Sequence, residues 1–517
     1  MTVINDWIRS AEARDGGASY LEHGRGTAML SYAGLGRAAR AWARALDDAA
    51  VPPGAGVAIR LADPVAYATA LVAIVAAGRV AVPLDPGAPA ARLAAVLAVA
   101  RPAAAVCDSP AELRPGLAVL HPQGLAMLHP QGLAVLDPPG LAVSDPPGDE
   151  PPAGAPGAGG PGATAGTGGI FLCTSGTTGT PKGILLTEDQ LCHVAAAVAG
   201  HHRLTAADRG YCTLPLFHVN AEVVGLLATL RAGACLVLDA RFSRRSFWEL
   251  IDERRITWIN AVPAIITLLA GLPAEPVPHR VRFVRSASAP LPPAVLARFE
   301  DATGLTVLET YGMTEAASMI TANPPDGPRK PGSAGLPVGA ELRIARSGRP
   351  RFTACQPFEV GRVQIRGRGV IRQYAAGGAA GAIDREGWLD TGDLGHLDSG
   401  GYLFLAGRTD DVINRGGEKI YPREIEDFLL AQPGVRAAAV VGAPDPVLGA
   451  RPVAYVAASG PGPADDLTGA LRAACDAALP RHTRPSAFCL LDELPLGSTG
   501  KIDRRRLAEL ARHRSGG

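Results

Sequence analysis

Between Ser31 and Cys107 the chain alternates helical and strand-like segments, and this alternation restricts the possible folds more than any other feature. Leu35, Ala39, Trp42 and Leu46 recur at helical spacing and predict a helix with one buried face. Pro52-Pro53-Gly54 ends it, and Val57-Ala58-Ile59 reads as a buried strand. Residues 66–77 predict a helix, Val80-Ala81-Val82 a strand, residues 90–100 a helix and 103–107 a strand. Strands separated by helices pair in parallel, because a parallel connection needs a long crossover. The predicted class is therefore α/β, with mainly parallel sheets. At 517 residues the chain exceeds one ordinary core and divides into two to four units.

The alternation breaks at residues 115–146, where four octads follow one another: PGLAVLHP, QGLAMLHP, QGLAVLDP and PGLAVSDP. A Gly/Ala/Pro-rich stretch follows. The Pro and Gly of each octad oppose a helix and a central strand alike. A small repeat module is one reading; the composition favours a low-complexity insertion over 115–168, a mobile surface loop. Ordered signals resume at Gly169. The tail from Asp411 has helix and strand signals of its own and predicts a small α+β domain, with the boundary between residues 409 and 410.

The charges exclude some partners. Fifty Lys and Arg stand against 49 Asp and Glu, so nothing attracts nucleic acid or an anionic membrane. Eight cysteines contain no C-x-x-C pair and fit neither a zinc site nor a disulfide framework, which predicts reduced thiols and a cytoplasmic protein. Asp6 and Glu12 interrupt the first residues, so no signal peptide is expected. His201-His202 lack a third ligand at fitting spacing and predict a surface pair.

The strongest local signal is the segment Ile170-Phe171-Leu172-Cys173-Thr174-Ser175-Gly176-Thr177-Thr178-Gly179-Thr180-Pro181-Lys182-Gly183. An apolar strand runs into a loop of glycines and hydroxyls with one lysine. Glycines let backbone N–H groups approach phosphate oxygens, and Lys182 adds charge. It is not a P-loop, because Gly183 follows Lys182. On residue types alone, a phosphate loop and an ordinary polar turn both remain open.

Thr174 to Gly183 resembles the phosphate loop of the acyl-adenylate-forming superfamily: acyl-CoA synthetases, luciferases and peptide-synthetase adenylation domains. Four further segments resemble that family in order. They are Leu308-Glu309-Thr310-Tyr311-Gly312-Met313-Thr314-Glu315, Thr391-Gly392-Asp393, Gly407-Arg408-Thr409-Asp410-Asp411 and Pro495-Leu496-Gly497-Ser498-Thr499-Gly500-Lys501-Ile502. The resemblance covers nearly all of the chain outside 115–168. It implies a large multi-subdomain N-terminal adenylation domain, residues 1–409, and a mobile C-terminal domain, residues 410–517. The implied reaction activates a carboxylic acid with ATP and Mg2+ as its acyl-AMP, then transfers the acyl group to coenzyme A.

The resemblance also implies roles. Thr174, Ser175, Gly176, Thr177, Thr178, Gly179 and Lys182 would hold phosphates. Thr310, Tyr311 and Gly312 would line adenine, and Thr314 would donate to the α-phosphate. Glu315 would be the hard oxygen ligand that magnesium requires. Asp393 and Arg408 would bind the ribose. Lys501 would bridge the attacking carboxylate and the α-phosphate, where charge develops. Asp410 would be the pivot, and Gly416 and Gly417 would border the coenzyme A channel. Each residue taken singly could equally be a solvated charge or a turn residue.

Pro215-Leu216-Phe217-His218-Val219-Asn220 resembles the segment entering the acid pocket. Amino-acid-activating relatives carry an Asp where this chain has His218, so an α-amino acid is disfavoured. His218, Asn220, Ser286 and Ser288 predict a polar pocket suited to a small polar or aromatic acid rather than a long fatty chain. The stretches 311–325 and 414–420 resemble oxalate–CoA ligases and related small-acid ligases. Gly449-Ala450 and Thr483-Arg484 depart from the family pattern and put the acceptor step in question. A carrier-protein pantetheine or a nitrogen nucleophile are alternative acceptors, and Arg504, Arg505 and Arg506 could offer a carrier a basic face. A non-catalytic nucleotide-binding protein is the further alternative. Either a monomer or a homodimer is compatible with the sequence.

Overall fold

The structure is a computed structural model and describes residues 2–108, 118–120, 168–175, 181–272, 277–346, 353–376, 382–459, 464–496 and 502–515. Its organisation follows from which strands are buried on both faces. Val80–Pro83, Ala104–Cys107, Cys235–Leu238, Trp258–Ala261, Phe283–Ser286 and Val307–Tyr311 have no exposed position. Such strands belong inside parallel sheets covered by helices on each side.

Among the described residues these strands form two large sheets. The first runs in the order Ala118–Leu120, Ala104–Cys107, Gly56–Arg60, Val80–Pro83, Gly169–Ser175 and Pro181–Thr187; only the last pairing is antiparallel. The second has a parallel centre, Val307–Tyr311, Phe283–Ser286, Trp258–Ala261, Arg209–Cys212, Cys235–Leu238 and Ser19–His23, with short antiparallel strands at both edges.

Several helices start where side chains satisfy their first N–H groups. Ser31 Oγ accepts from Gly34, and Asp63 Oδ1 accepts from Ala66 ahead of a proline at the first helical position. Thr187 and Gln190 form a reciprocal capping box on Glu188–His201. Leu35, Ala39, Trp42 and Leu46 are all buried on the helix Tyr32–Asp48, as their spacing predicts.

One expectation is corrected. The first octad is not wholly a surface loop: Ala118–Leu120 adds a parallel edge strand, with Ala104 opposite Ala118 and Val106 opposite Leu120. Ala-Val-Leu pairs well, and Pro115 and Gly116 precede the paired residues, so they do not oppose an edge position. The remaining octads, residues 123–146, and the Gly/Ala/Pro-rich stretch up to 167 lie outside the described residues.

A four-stranded antiparallel sheet follows: Glu341–Ala345, Gly361–Arg366, Leu389–Leu397 and Leu403–Arg408. From Ile413 onward the chain builds a separate sheet, in which the long hairpin Val435–Asp445 and Gly449–Ala458 pairs with Ile413–Arg415 and Ala487–Leu490. Ile413, Ile425, Leu429, Val440 and Val456 form its core. No described helix is long and apolar enough to cross a membrane.

Candidate functional site

The carboxyl ends of neighbouring parallel strands converge. Cys212, Asn260, Arg285 and Leu308 lie side by side through the register pairs Asn260 with Cys212, Asn260 with Arg285 and Arg285 with Leu308. Open α/β sheets bind ligands just beyond such ends. Asn220, Ser286, Ser288 and the segment from Thr310 to Glu315 all lie there.

Tyr311 closes the strand Val307–Tyr311, and its Oη donates to Asp393 Oδ2 at 2.5 Å. Arg408 Nη1 donates to Asp393 Oδ1 at 3.0 Å and to the Thr391 carbonyl at 3.4 Å. Asp393 and Arg408 are register partners across antiparallel strands, so the sheet itself sets this pair. A Cβ on Gly392 would stand 2.9 Å from Arg408 Nη2, and its φ of +74° also favours glycine. Burial, and then the Asp393 carboxylate, push the Tyr311 hydroxyl well above its ordinary pKa, so it stays a donor.

Gly312 has a packing reason. A Cβ there would stand 1.3 Å from the Ser318 carbonyl oxygen. The chain doubles back through Ala317 and Ser318, both at positive φ, and Ile320 N bonds the Tyr311 carbonyl at 2.8 Å. The resulting single turn, Thr314–Ala316, holds Thr314 and the buried Glu315 beside the strand end. Thr310 Oγ1 donates to the Ser286 carbonyl at 2.9 Å, joining this segment to its neighbour.

Tyr374 was not singled out from the sequence. Its Oη donates to Glu315 Oε1 at 3.1 Å, and its ring centroid lies 5.5 Å from Lys182 Nζ. Its segment is stitched to Gly183, which donates to the Ala376 carbonyl at 2.8 Å and accepts from Ala375 N at 2.9 Å. Burial and then Glu315 raise the Tyr374 pKa, so the hydroxyl keeps its proton. Thr174 and Lys182 are partners in the stem of the glycine hairpin, as are Ser175 and Pro181. Gly176, Thr177, Thr178 and Gly179 lie outside the described residues, as does Lys501. The donor set fits magnesium: Glu315 is a hard carboxylate turned by one hydroxyl at Oε1, beside the stem that carries Lys182.

Asn220 opens a π-helical segment, Asn220–Leu227. Its Oδ1 accepts from Arg285 Nη1 at 2.8 Å and Asn260 Nδ2 at 3.3 Å, and its Nδ2 donates to Ser288 Oγ at 3.4 Å. Ser288 is exposed, with φ +73°, whereas Ser286 is buried. The His218 ring lies 4.7 Å from that of Phe217, and His218 N bonds the Pro215 carbonyl. Arg285 and Asn260 were also missed. The available signal was a charge inside the otherwise apolar strand Phe283–Ser286.

Arg408 is held on one side of the turn Thr409–Asp411, and Asp411 is held on the other by Arg504 at 3.5 Å; exposed Asp410 stands between them. Arg504 also pairs with Glu426 at 2.7 Å, so its charge is matched within the small domain. Gly416 and Gly417 turn the following hairpin at φ +60° and +94°. A Cβ on Gly417 would meet nothing within 4 Å, so in this arrangement its backbone angle, not a tight passage, calls for glycine. Gly449 turns the neighbouring hairpin at φ +78°, while Thr483 and Arg484 bond the carbonyls of Pro480 and Leu479. Thr483 and Arg484, which depart from the family pattern, thus have local structural roles, whereas nothing in the structure explains Ala450. His201 and His202 are not a surface pair: His202 is fully buried, edge-on to Phe283, and the two Nδ1 atoms are 2.9 Å apart.

Comparison with known proteins identifies the family. The chain is 43% identical over 342 residues to a sulfoacetate–CoA ligase of Cupriavidus necator, covering 65% of this chain and 66% of that protein. It is 39% identical over 352 residues to an oxalate–CoA ligase of Arabidopsis thaliana, covering 66% and 67%. The aligned stretch thus spans about two thirds of each relative. The structure of o-succinylbenzoate–CoA synthetase from Bacillus subtilis, in complex with ATP and magnesium, superposes with TM-score 0.79 at 28% identity, covering 97% of this chain and 98% of that one. Residues 9–375 match the AMP-binding enzyme family and residues 424–501 its C-terminal domain. The chain belongs to the AMP-binding enzyme family, with the fold of adenylate-forming enzymes.

Proposed function

We propose that this chain is an AMP-forming acid–CoA ligase acting on a small polar acid. In the first half-reaction a carboxylate oxygen attacks the α-phosphorus of ATP and pyrophosphate leaves. In the second the coenzyme A sulfur attacks the acyl carbon, its proton passes to solvent, and AMP leaves. The observation that carries this reading is Asp393, fixed by Arg408 and by Tyr311, which belongs to the same segment as Glu315. A carboxylate so oriented suits the two hydroxyls of a ribose.

In this reading Tyr311 lies against adenine, and Lys182 with Thr174 to Gly179 receives the phosphates. Thr314 donates to the α-phosphate and Glu315 holds magnesium, which when bound offsets phosphate charge. His218 stands beside the acid carboxylate, with Asn220 and Ser288 farther along. Lys501 bridges carboxylate and α-phosphate. The small domain, residues 410–517, pivots at Asp410 and brings Gly416 and Gly417 to the acceptor arm. Coenzyme A is favoured over a carrier protein because Arg504 is engaged internally. The relatives named for sulfoacetate and oxalate support a short acid, and the free thiols suit a cytoplasmic site.

The test is ATP- and magnesium-dependent pyrophosphate release across short, aromatic, amino and long-chain acids, followed by thioester formation with coenzyme A. An amino acid or an acid of about twelve carbons giving the highest kcat/KM would overturn the pocket assignment. Absence of pyrophosphate release with every acid would overturn the activity.

A further inference from the structure

Arg285 is fully buried behind Asn220, and no carboxylate pairs with it among the described residues. Its Nη1 donates to Asn220 Oδ1 at 2.8 Å and Asn260 Oδ1 at 3.1 Å, while its Nε is buried without a partner. The titratable groups beside it are Cys212, His201 and His202. Burial raises the Cys212 thiol to about 11 and lowers both histidines, with Arg285 lowering them further, so all three are neutral near pH 8. Nearby Arg282 is matched by Asp208 at 2.9 Å; Arg285 has no such match. A buried cation without a counter-charge is costly, and burial brings Arg285 down to about 9.

The same contacts decide which way Asn220 faces. Two N–H donors, from Arg285 and Asn260, converge on its Oδ1. The amide therefore turns its NH2 toward Ser288, the exposed member of the group. An amide turned the other way would set donor against donor. The wall thus offers a hydrogen-bond donor and a hydroxyl, backed by positive charge. That combination suits an anionic oxygen group.

We propose that Asn220 and Ser288 receive a second anionic group of the substrate, a carboxylate or sulfonate distal to the one that is adenylated, and that Arg285 is the positioning residue that orients Asn220 and supplies the opposing charge. The proposal rests on the acid-activating reading above and narrows it to short dianionic acids.

The test compares each dianionic acid with its half-ester: malonate against monomethyl malonate, and succinate against monomethyl succinate. Initial rates of pyrophosphate release yield kcat/KM for both. At pH 7.5 the wild type should favour the dianion by at least tenfold. Asn220→Leu should shrink that ratio about tenfold, mostly through KM, while thermal-shift titration with ATP confirms a folded nucleotide site. Arg285→Lys removes the planar fork that reaches both amides, and burial disfavours the ammonium form as well, so it should shrink the ratio too. Equal use of acid and half-ester, or a ratio unmoved by Asn220→Leu, overturns the proposal and leaves the ligase reading standing. No pyrophosphate release from any acid overturns both.

Discussion

Tyr374 donates its hydroxyl to Glu315 Oε1 at 3.1 Å and lays its ring 5.5 Å from the Lys182 ammonium. One side chain therefore orders the carboxylate assigned to magnesium and the lysine assigned to phosphate. Tyr374→Phe keeps the ring and removes the donor. Magnesium affinity should fall roughly tenfold, the scale for losing a group that orients a metal ligand. A magnesium titration of ATP–pyrophosphate exchange checks this. An unchanged magnesium requirement would show that Glu315 is oriented without Tyr374.

The two anchors around the proposed hinge predict separable half-reactions. Arg408 is tied to Asp393, and Asp411 to Arg504, leaving Thr409 and Asp410 to absorb rotation. Lys501→Ala should slow acyl-AMP formation roughly 100-fold and affect thioester formation from supplied acyl-AMP far less. Gly417→Leu should do the reverse. Equal losses in both steps for both variants would refute alternation.

The octad repeat should be dispensable only in part. Deleting residues 121–160 and closing with a short Gly/Ser linker should leave adenylation largely intact, since closure entropy changes by ~0.6 kcal/mol per doubling of loop length. Starting the deletion at 115 also removes the strand Ala118–Leu120 and uncovers the edge at Ala104–Cys107. That longer deletion should melt several degrees lower. Differential scanning calorimetry and pyrophosphate release on both variants decide the matter.

Glu309 carries a pH signature. Burial raises its pKa to about 8, although Gly332 N donates to its Oε2 at 3.2 Å and Arg423 opposes the rise. The folded protein thus holds a proton that the unfolded chain releases near the ordinary carboxyl value. The resulting stabilisation is full below that value and is lost as pH rises toward 8. Glu309→Gln mimics the protonated form. It should flatten the decline in Tm between pH 5 and pH 8, and a parallel decline in both proteins would count against a protonated Glu309.

Local sequence was enough for the α/β class, because Leu35, Ala39, Trp42 and Leu46 cannot be buried on one face except as a helix, and the buried strands between such helices must run parallel. It was also enough for the family, since Thr174 to Gly183, Glu315 and Asp393 belong to contiguous motifs. Those motifs do not say what lies beside them. Tyr374 reaches Glu315 across 59 positions, and Arg285 reaches Asn220 across 65. Such pairings arise only when separate strands and loops meet at one sheet edge. The orientation of the Asn220 amide, the unmatched charge of Arg285 and the pairing of Ala118–Leu120 with Ala104–Cys107 are likewise consequences of tertiary packing. Local propensity cannot encode them, because hydrogen bonding and desolvation depend on neighbours in space rather than along the chain.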